Sequence, residues 1–210
     1  MGATMGKNKT VLLIMGSTRA GRLCPQIAAW VAQIGQGCTD LRYEVIDLAE
    51  WPLPADDESG IPALTPYSQP HTKAWSEKIK SAAAVVFVTP QFNWGYPAVL
   101  KNAIDHLYHE WCDKPVAFVT YGGHGGTRCA KQLKQIAVPL KMRFVMTSPA
   151  LFLPEAVIRE NAPFDPERDF SPYKTAVKKA LTALTAQLQG REPMADKLYR
   201  KTRSLLAAIA

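Results

Sequence analysis

The sequence predicts a doubly wound α/β sandwich: a five-stranded parallel sheet in the order 2-1-3-4-5 with helices on both faces. Two observations lead there. Apolar runs with almost no polar alternation, the mark of strands buried on both faces, take turns with stretches of helical periodicity, and right-handed crossovers leave few ways to arrange such units. Polar or glycine-bearing loops follow the first, third and fourth runs, which become neighbours in that order, so the three loops meet at the carboxyl rim where ligands bind in such sheets.

Residues 1–9 read as a loose leader. The first strand, Thr10 to Met15, runs into Gly16-Ser17-Thr18-Arg19-Ala20-Gly21-Arg22 and then a helical pattern from about Pro25 to Gly35. Strand, glycine loop and helix N-terminus together suit a phosphate, with the Ser17 hydroxyl and the Arg19 and Arg22 guanidinium groups as further donors. Neither G-x-x-x-x-G-K-[ST] nor G-x-G-x-x-G is present, so triphosphate and dinucleotide fingerprints are both missing. What stays open is a single phosphate monoester, or a polar turn with two surface arginines.

A second strand spans Tyr43 to Leu48, and residues 49–70, with Pro52, Pro54, Pro62, Pro66 and Pro70, read as an irregular loop able to wall a pocket. A helix follows over Thr72 to Ala82. Val85 to Val88 form the third strand, which Pro90 ends because it cannot donate to a ladder. After Gln91-Phe92-Asn93-Trp94-Gly95-Tyr96, Pro97 opens a helix carried by Leu100, Ile104, Leu107 and Trp111. Amide side chains and aromatic rings in that loop suit a flat, polar-edged ring system.

Pro115 to Tyr121 make the fourth strand, followed by Gly122-Gly123-His124-Gly125-Gly126, where glycines permit close backbone approach. A helix then runs to about Leu140, a fifth strand from Arg143 to Leu153, and a closing helix from Ser171 to Gln189 with Ser171-Pro172 as cap and first turn. The domain is thus expected over 10–190, and 191–210 form an amphipathic helical extension (Leu198, Leu205, Leu206, Ile209) that packs on a partner subunit or frays.

Composition narrows the partners. With 210 residues, 47% hydrophobic and 20% charged, the chain is an ordinary globular domain. The net charge of +7 is scattered without a Lys/Arg block, so anionic small molecules or a solvated basic surface account for it, and neither nucleic acid nor membrane is indicated. Four cysteines without a C-x-x-C, no signal core and Gly6 where a myristoylation motif wants Ser or Thr point to a reduced, cytoplasmic protein. Cys24 reads as an inert thiol. His106, His109 and Cys112 spread over about 120° of a helix, too wide for one chelate, so no metal is expected.

At GSTRAGR, TPQFNWGYPAVLKNAIDHLYHEW and TYGGHGG the chain resembles the NADPH-dependent FMN reductase family, particularly its fungal quinone-reductase branch, over roughly residues 10–150. The resemblance implies a flavodoxin-like fold, non-covalent FMN, NADPH or NADH as co-substrate, two-electron delivery to quinones, free flavin or metal ions in a ping-pong cycle, and a homodimer or tetramer. It implies that Ser17, Arg19 and Arg22 hold the phosphate, that Pro90, Gln91, Phe92 and Asn93 line the isoalloxazine, and that Tyr121, Gly122 and Gly123 donate to its pyrimidine edge. Trp94 and Tyr96 either stack on nicotinamide or quinone or make a subunit contact. His124 either hydrogen-bonds a quinone oxygen or is a polar spacer, and no acid or base is obligatory. An alternative is a flavin-bound redox sensor that regulates a protein partner. A one-electron carrier is disfavoured by the basic charge.

Overall fold

The computed structural model describes residues 9–55, 57–192, 194, 196–199 and 201–202. Its elements in chain order are β1 (Thr10–Met15), α1 (Cys24–Cys38), β2 (Arg42–Asp47), α2 (Pro70–Ser81), β3 (Ala84–Pro90), α3 (Ala98–Asp105), β4 (Pro115–Gly122), α4 (Thr127–Ala137), β5 (Arg143–Phe144), β6 (Ala150–Phe152), α5 (Glu155–Arg159), α6 (Pro166–Asp169) and α7 (Lys174–Leu188). The sheet order is β2-β1-β3-β4-β5, every pair is parallel, and the flavodoxin-like arrangement expected from the sequence is the one observed.

Strand periodicity divides the core in two. In β1, Val11, Leu13 and Met15 enter one cluster with Ile27 and Val31 of α1 and Leu181 and Leu184 of α7. Leu12 and Ile14 enter the other, with Trp75 of α2, Leu100 and Ile104 of α3 and Leu133 of α4. Both faces of β1, β3 and β4 are therefore covered, which is why these strands read as apolar runs without alternation. Each such Leu, Ile or Val contributes about 1.5–3 kcal/mol on burial.

The fifth strand differs from its expectation. Residues 143–153 do not form one strand but two short ones, β5 and β6, both paired with β4. Val116 faces Phe144 and Thr120 faces Ala150, so six steps of chain oppose four. The extra residues bulge at 145–149, where Pro149 has no N–H to give and supplies only its carbonyl, to Thr120 N–H at 3.0 Å.

Two helix boundaries also move. The pattern Leu100, Ile104, Leu107, Trp111 is not one helix: α3 stops at Asp105, and a separate 3₁₀ turn at His109–Trp111 lets the Trp111 indole donate back to the Ile104 carbonyl at 2.9 Å. The apolar positions are all buried, but the chain reaches them around a corner. Ser171 is not the cap of the closing helix. Its hydroxyl donates to the Arg168 carbonyl at 2.9 Å and opens a 3₁₀ turn, and α7 begins at Lys174.

At the ends, residues 1–8 of the leader lie outside the described residues, as do Leu205, Leu206 and Ile209 of the extension. Residues 196–199 are helical, and the Tyr199 ring meets Phe144 edge-on at 6.1 Å.

Candidate active site

The first loop is shaped by what surrounds it. Gly16 donates to the Val88 carbonyl at 2.8 Å, and a Cβ there would overlap the Thr89 side chain, so β1 and β3 approach only because residue 16 has no side chain. Gly21, at φ +68°, turns the chain into α1. No side chain caps the start of α1, and Leu23 and Gln26 at that start line the adjoining cavity; an uncapped helix N-terminus there favours an anion.

That cavity measures about 530 Å³. Ser17, Arg19 and Arg22 of the first loop, Pro90, Gln91 and Phe92 after β3, and Tyr121, Gly122 and Gly123 at the end of β4 all line it. The convergence expected from the strand order therefore exists as geometry.

The cations differ in how they are held. Arg22 pairs with Asp47 at the end of β2, yet its buried Nε has no hydrogen-bond partner among the described residues. Arg19 is exposed, and its guanidinium lies 4.0 Å from the Phe92 ring centroid, which joins the first loop to the one after β3. Ser17 is 2% exposed, and among the described residues its oxygen accepts only a long 3.5 Å contact from the Arg19 N–H.

The second loop is a tight hairpin. Phe92 and Gly95 exchange N–H···O bonds of 2.9 Å in each direction, and Asn93 (φ 45°) and Trp94 (φ 70°) occupy its left-handed corners. Trp94 costs about 1–2 kcal/mol in that conformation. Stacking on His124 (5.3 Å, 14°) and the Arg128 guanidinium (4.0 Å) offset it. Asn93, Trp94 and His124 consequently form a rim cluster and are not among the cavity's lining residues. Trp94 here packs on His124 and Arg128, in keeping with the subunit-contact alternative for Trp94 and the spacer alternative for His124.

The third loop works through its backbone. The Gly122 carbonyl accepts from Gly125 and Leu153 at 3.0 Å each, while Gly125 and Gly126 sit at φ +66° and +81°. The Tyr121 phenol meets the Cys24 thiol in the core, and burial pushes the pKa of both groups up, that of Cys24 to about 11. Cys24 is thus an inert thiol, and Tyr121 contributes a wall, not an acid. The Gln91 side-chain oxygen accepts from Cys129 N–H at 3.2 Å, so it caps α4 from across the site.

One wall was not anticipated. Leu153, Val157, Ile158, Asn161, Ala162 and Phe164 close the side away from β3. Their segment leaves the carboxyl end of β6 beside β4, and that position was the available signal. The proline-rich loop 49–70 is not a wall of this cavity; it encloses a separate one with Asn102, Asp105 and His106.

Comparison with known proteins places the chain in a family. The family described as NADPH-dependent FMN reductase matches residues 10–156. An NAD(P)H-dependent FMN reductase of Schizosaccharomyces pombe is 53% identical over 172 residues, covering 81% of this chain and 86% of that one. A quinone reductase of Escherichia coli K12 is 31% identical over 153 residues, covering 69% and 77%. Among solved structures, the flavoenzyme NAD(P)H:(acceptor) oxidoreductase FerB from Paracoccus denitrificans superposes with a TM-score of 0.63 at 20% identity, over 84% of this chain and 97% of that one, which speaks to the fold.

Proposed function

This chain belongs to the NADPH-dependent FMN reductase family, and from that premise we propose how its cavity serves an FMN-dependent NAD(P)H oxidoreductase that reduces quinones. The observation that carries the reading is the graded wall of the 530 Å³ cavity, with cations and a helix N-terminus at one end and glycine backbone at the other. That volume lies within the range of small-molecule sites. The unpartnered Arg22 Nε and the weakly engaged Ser17 hydroxyl fit a group rich in acceptors, as a phosphate is.

In this reading Arg19, Ser17 and Arg22 hold the phosphate, with Arg22 divided between it and Asp47. Gly122 and Gly123 let backbone N–H groups approach a ring edge and favour negative charge there. Pro90, Gln91 and Phe92 fix the ring's orientation, and the 153–164 segment excludes water behind it. When bound, FMN supplies two-electron transfer from NAD(P)H to the acceptor, so the chain is asked for orientation and electrostatics and for no obligatory acid or base. About 0.3 kcal/mol per atom over roughly thirty atoms gives about 9 kcal/mol, a sub-micromolar affinity.

We also infer a dimer or tetramer, since Trp94, Phe152 and Ile158 expose 46–48% of their surface. A cytoplasmic setting is supported by four free cysteines, and no described helix is long and apolar enough to cross a membrane.

The test is a visible spectrum of purified protein under anaerobic conditions. A flavin absorbance that bleaches with NADPH and returns with benzoquinone supports the reading; absence of flavin, with none reconstitutable, contradicts it.

A further inference from the structure

We propose that Asp57, His71 and His106 form a binding site for a divalent ion of the zinc class, separate from the cofactor cavity. The three residues come from different elements: Asp57 from the proline-rich loop, His71 from the first turn of α2, and His106 from the end of α3. One ligand atom from each lies within 4.8 Å of the others. Two imidazoles and a carboxylate are a borderline donor set suited to Zn²⁺, Co²⁺ or Ni²⁺ and poorly suited to Mg²⁺ or Ca²⁺.

One edge of the site is spaced as a pair of ligands would be, held there by a hydrogen bond. His71 Nε2 stands 3.1 and 3.0 Å from the two Asp57 oxygens. Bonds of about 2.0–2.1 Å in a tetrahedron put ligand atoms roughly 3.3 Å apart. The longest possible remaining edge, 4.8 Å, must close by about 1.5 Å, within reach of His71 and Asp57, which are both part-exposed.

His106 has the support a ligand needs. Its Nδ1 lies 2.9 Å from the hydroxyl of fully buried Thr72, and its Nε2 lies 2.9 Å from the Pro54 carbonyl. Without metal, Nε2–H donates to the Pro54 carbonyl, which can only accept, and Nδ1 shares a hydrogen bond with the Thr72 hydroxyl. A hydroxyl serves as donor or acceptor alike, so the proton can move to Nδ1, Thr72 can accept it, and Nε2 becomes free for the ion. His71 likewise carries its proton on Nδ1 when Nε2 binds.

The surroundings favour a cation. Asp57, Glu58, Asp105 and His106 line a cavity of about 230 Å³, a carboxylate-rich pocket on a chain of net charge +7. Lys101 pairs with Asp105, and the Glu58 carboxylate is held by Ser68 and Gln69, so Asp57 is the carboxylate in place to coordinate. This cavity shares no lining residue with the one assigned to FMN. An ion here would clamp the loop to α2 and α3 and would not enter electron transfer.

The experiment uses the full-length, flavin-loaded protein, stripped with chelator and titrated with Co²⁺, followed by its d–d absorption. The expected result is one Co²⁺ per chain without a thiolate charge-transfer band, displaced by Zn²⁺, and a thermal midpoint that rises with Zn²⁺. His71→Ala and Asp57→Asn should each weaken Co²⁺ binding at least about 100-fold, and Thr72→Val about 10-fold, with flavin content and NADPH oxidation unchanged. No binding in the micromolar range, a thiolate band, or equal binding by all variants would overturn the proposal.

Discussion

Arg22 and Glu110 are both charged side chains drawn largely out of water, and the two regions they belong to treat them in opposite ways. At the carboxyl rim, Arg22 keeps a buried Nε without a partner, Ser17 holds one long contact, and the third loop presents glycine backbone. On the flank beside the proline-rich loop, Glu110 receives the Ser76 hydroxyl on one oxygen and the Tyr67 hydroxyl on the other, both at 2.6 Å. Tyr67 then accepts from Tyr108 N–H at 3.2 Å, and Asn102 donates to the Leu53 carbonyl at 2.8 Å. The polar groups around Glu110 are used up in holding an irregular loop against α2 and α3. Those at the rim are held in place with hydrogen-bonding capacity left over, as a site for a guest requires.

Substitutions of side chains at the two regions should therefore separate stability from binding, while a rim glycine packed against a strand answers to stability. The largest effect is expected at Gly126, where φ is +81° and a Cβ would stand 2.6 Å from Thr120 Cβ. Gly126→Ala should cost about 2–4 kcal/mol, combining left-handed strain with overpacking, as read by urea denaturation. Next, Tyr67→Phe leaves a buried carboxylate short of a donor and should cost roughly 1.5–3 kcal/mol of stability while leaving NADPH oxidation untouched. Equal loss of activity would erase the distinction between flank and rim. Arg19→Ala should do the reverse, weakening FMN about tenfold (~1.4 kcal/mol) with flavin-free stability unchanged within about 0.5 kcal/mol.

The smallest effect concerns pH. Burial works against ionisation of Glu110, but the Ser76 and Tyr67 hydroxyls and nearby Lys80 outweigh it and hold the carboxyl below its ordinary value. A carboxyl lowered by folding stabilises the protein above the unfolded value, about 4.3, and that stabilisation is lost as pH falls through the folded one. Denaturation midpoints of wild type and Glu110→Gln should therefore converge on acidification below about pH 4.

The regions also differ in how legible they are in the sequence. Strand order and the meeting of three loops could be read because strands buried on both faces leave unbroken apolar runs such as Val85 to Val88. The break between β5 and β6 did carry a signal, Pro149, which cannot donate to a ladder, but the apolar residues on either side of it read as one run. The hairpin at Asn93-Trp94 carries no glycine at its left-handed corners, so its geometry and the place of Trp94 are set by contacts with His124 and Arg128. Residues 153–164 lack any motif; only their place after the strand beside β4 makes them a wall. His71 and His106 are 35 positions apart and meet through the packing of α2 on α3, which spacing along one helix cannot show.

The central claim is that the rim's leftover donors are there for a phosphate. Fluorescence titration of flavin-free protein with FMN and with riboflavin, which lacks the phosphate, tests it directly in wild type and Arg19→Ala. The account predicts that wild type binds FMN at least about tenfold more tightly than riboflavin, and that Arg19→Ala lowers FMN affinity while leaving riboflavin affinity in place. Equal affinity for the two flavins in wild type, or an equal loss of both in Arg19→Ala, would contradict it.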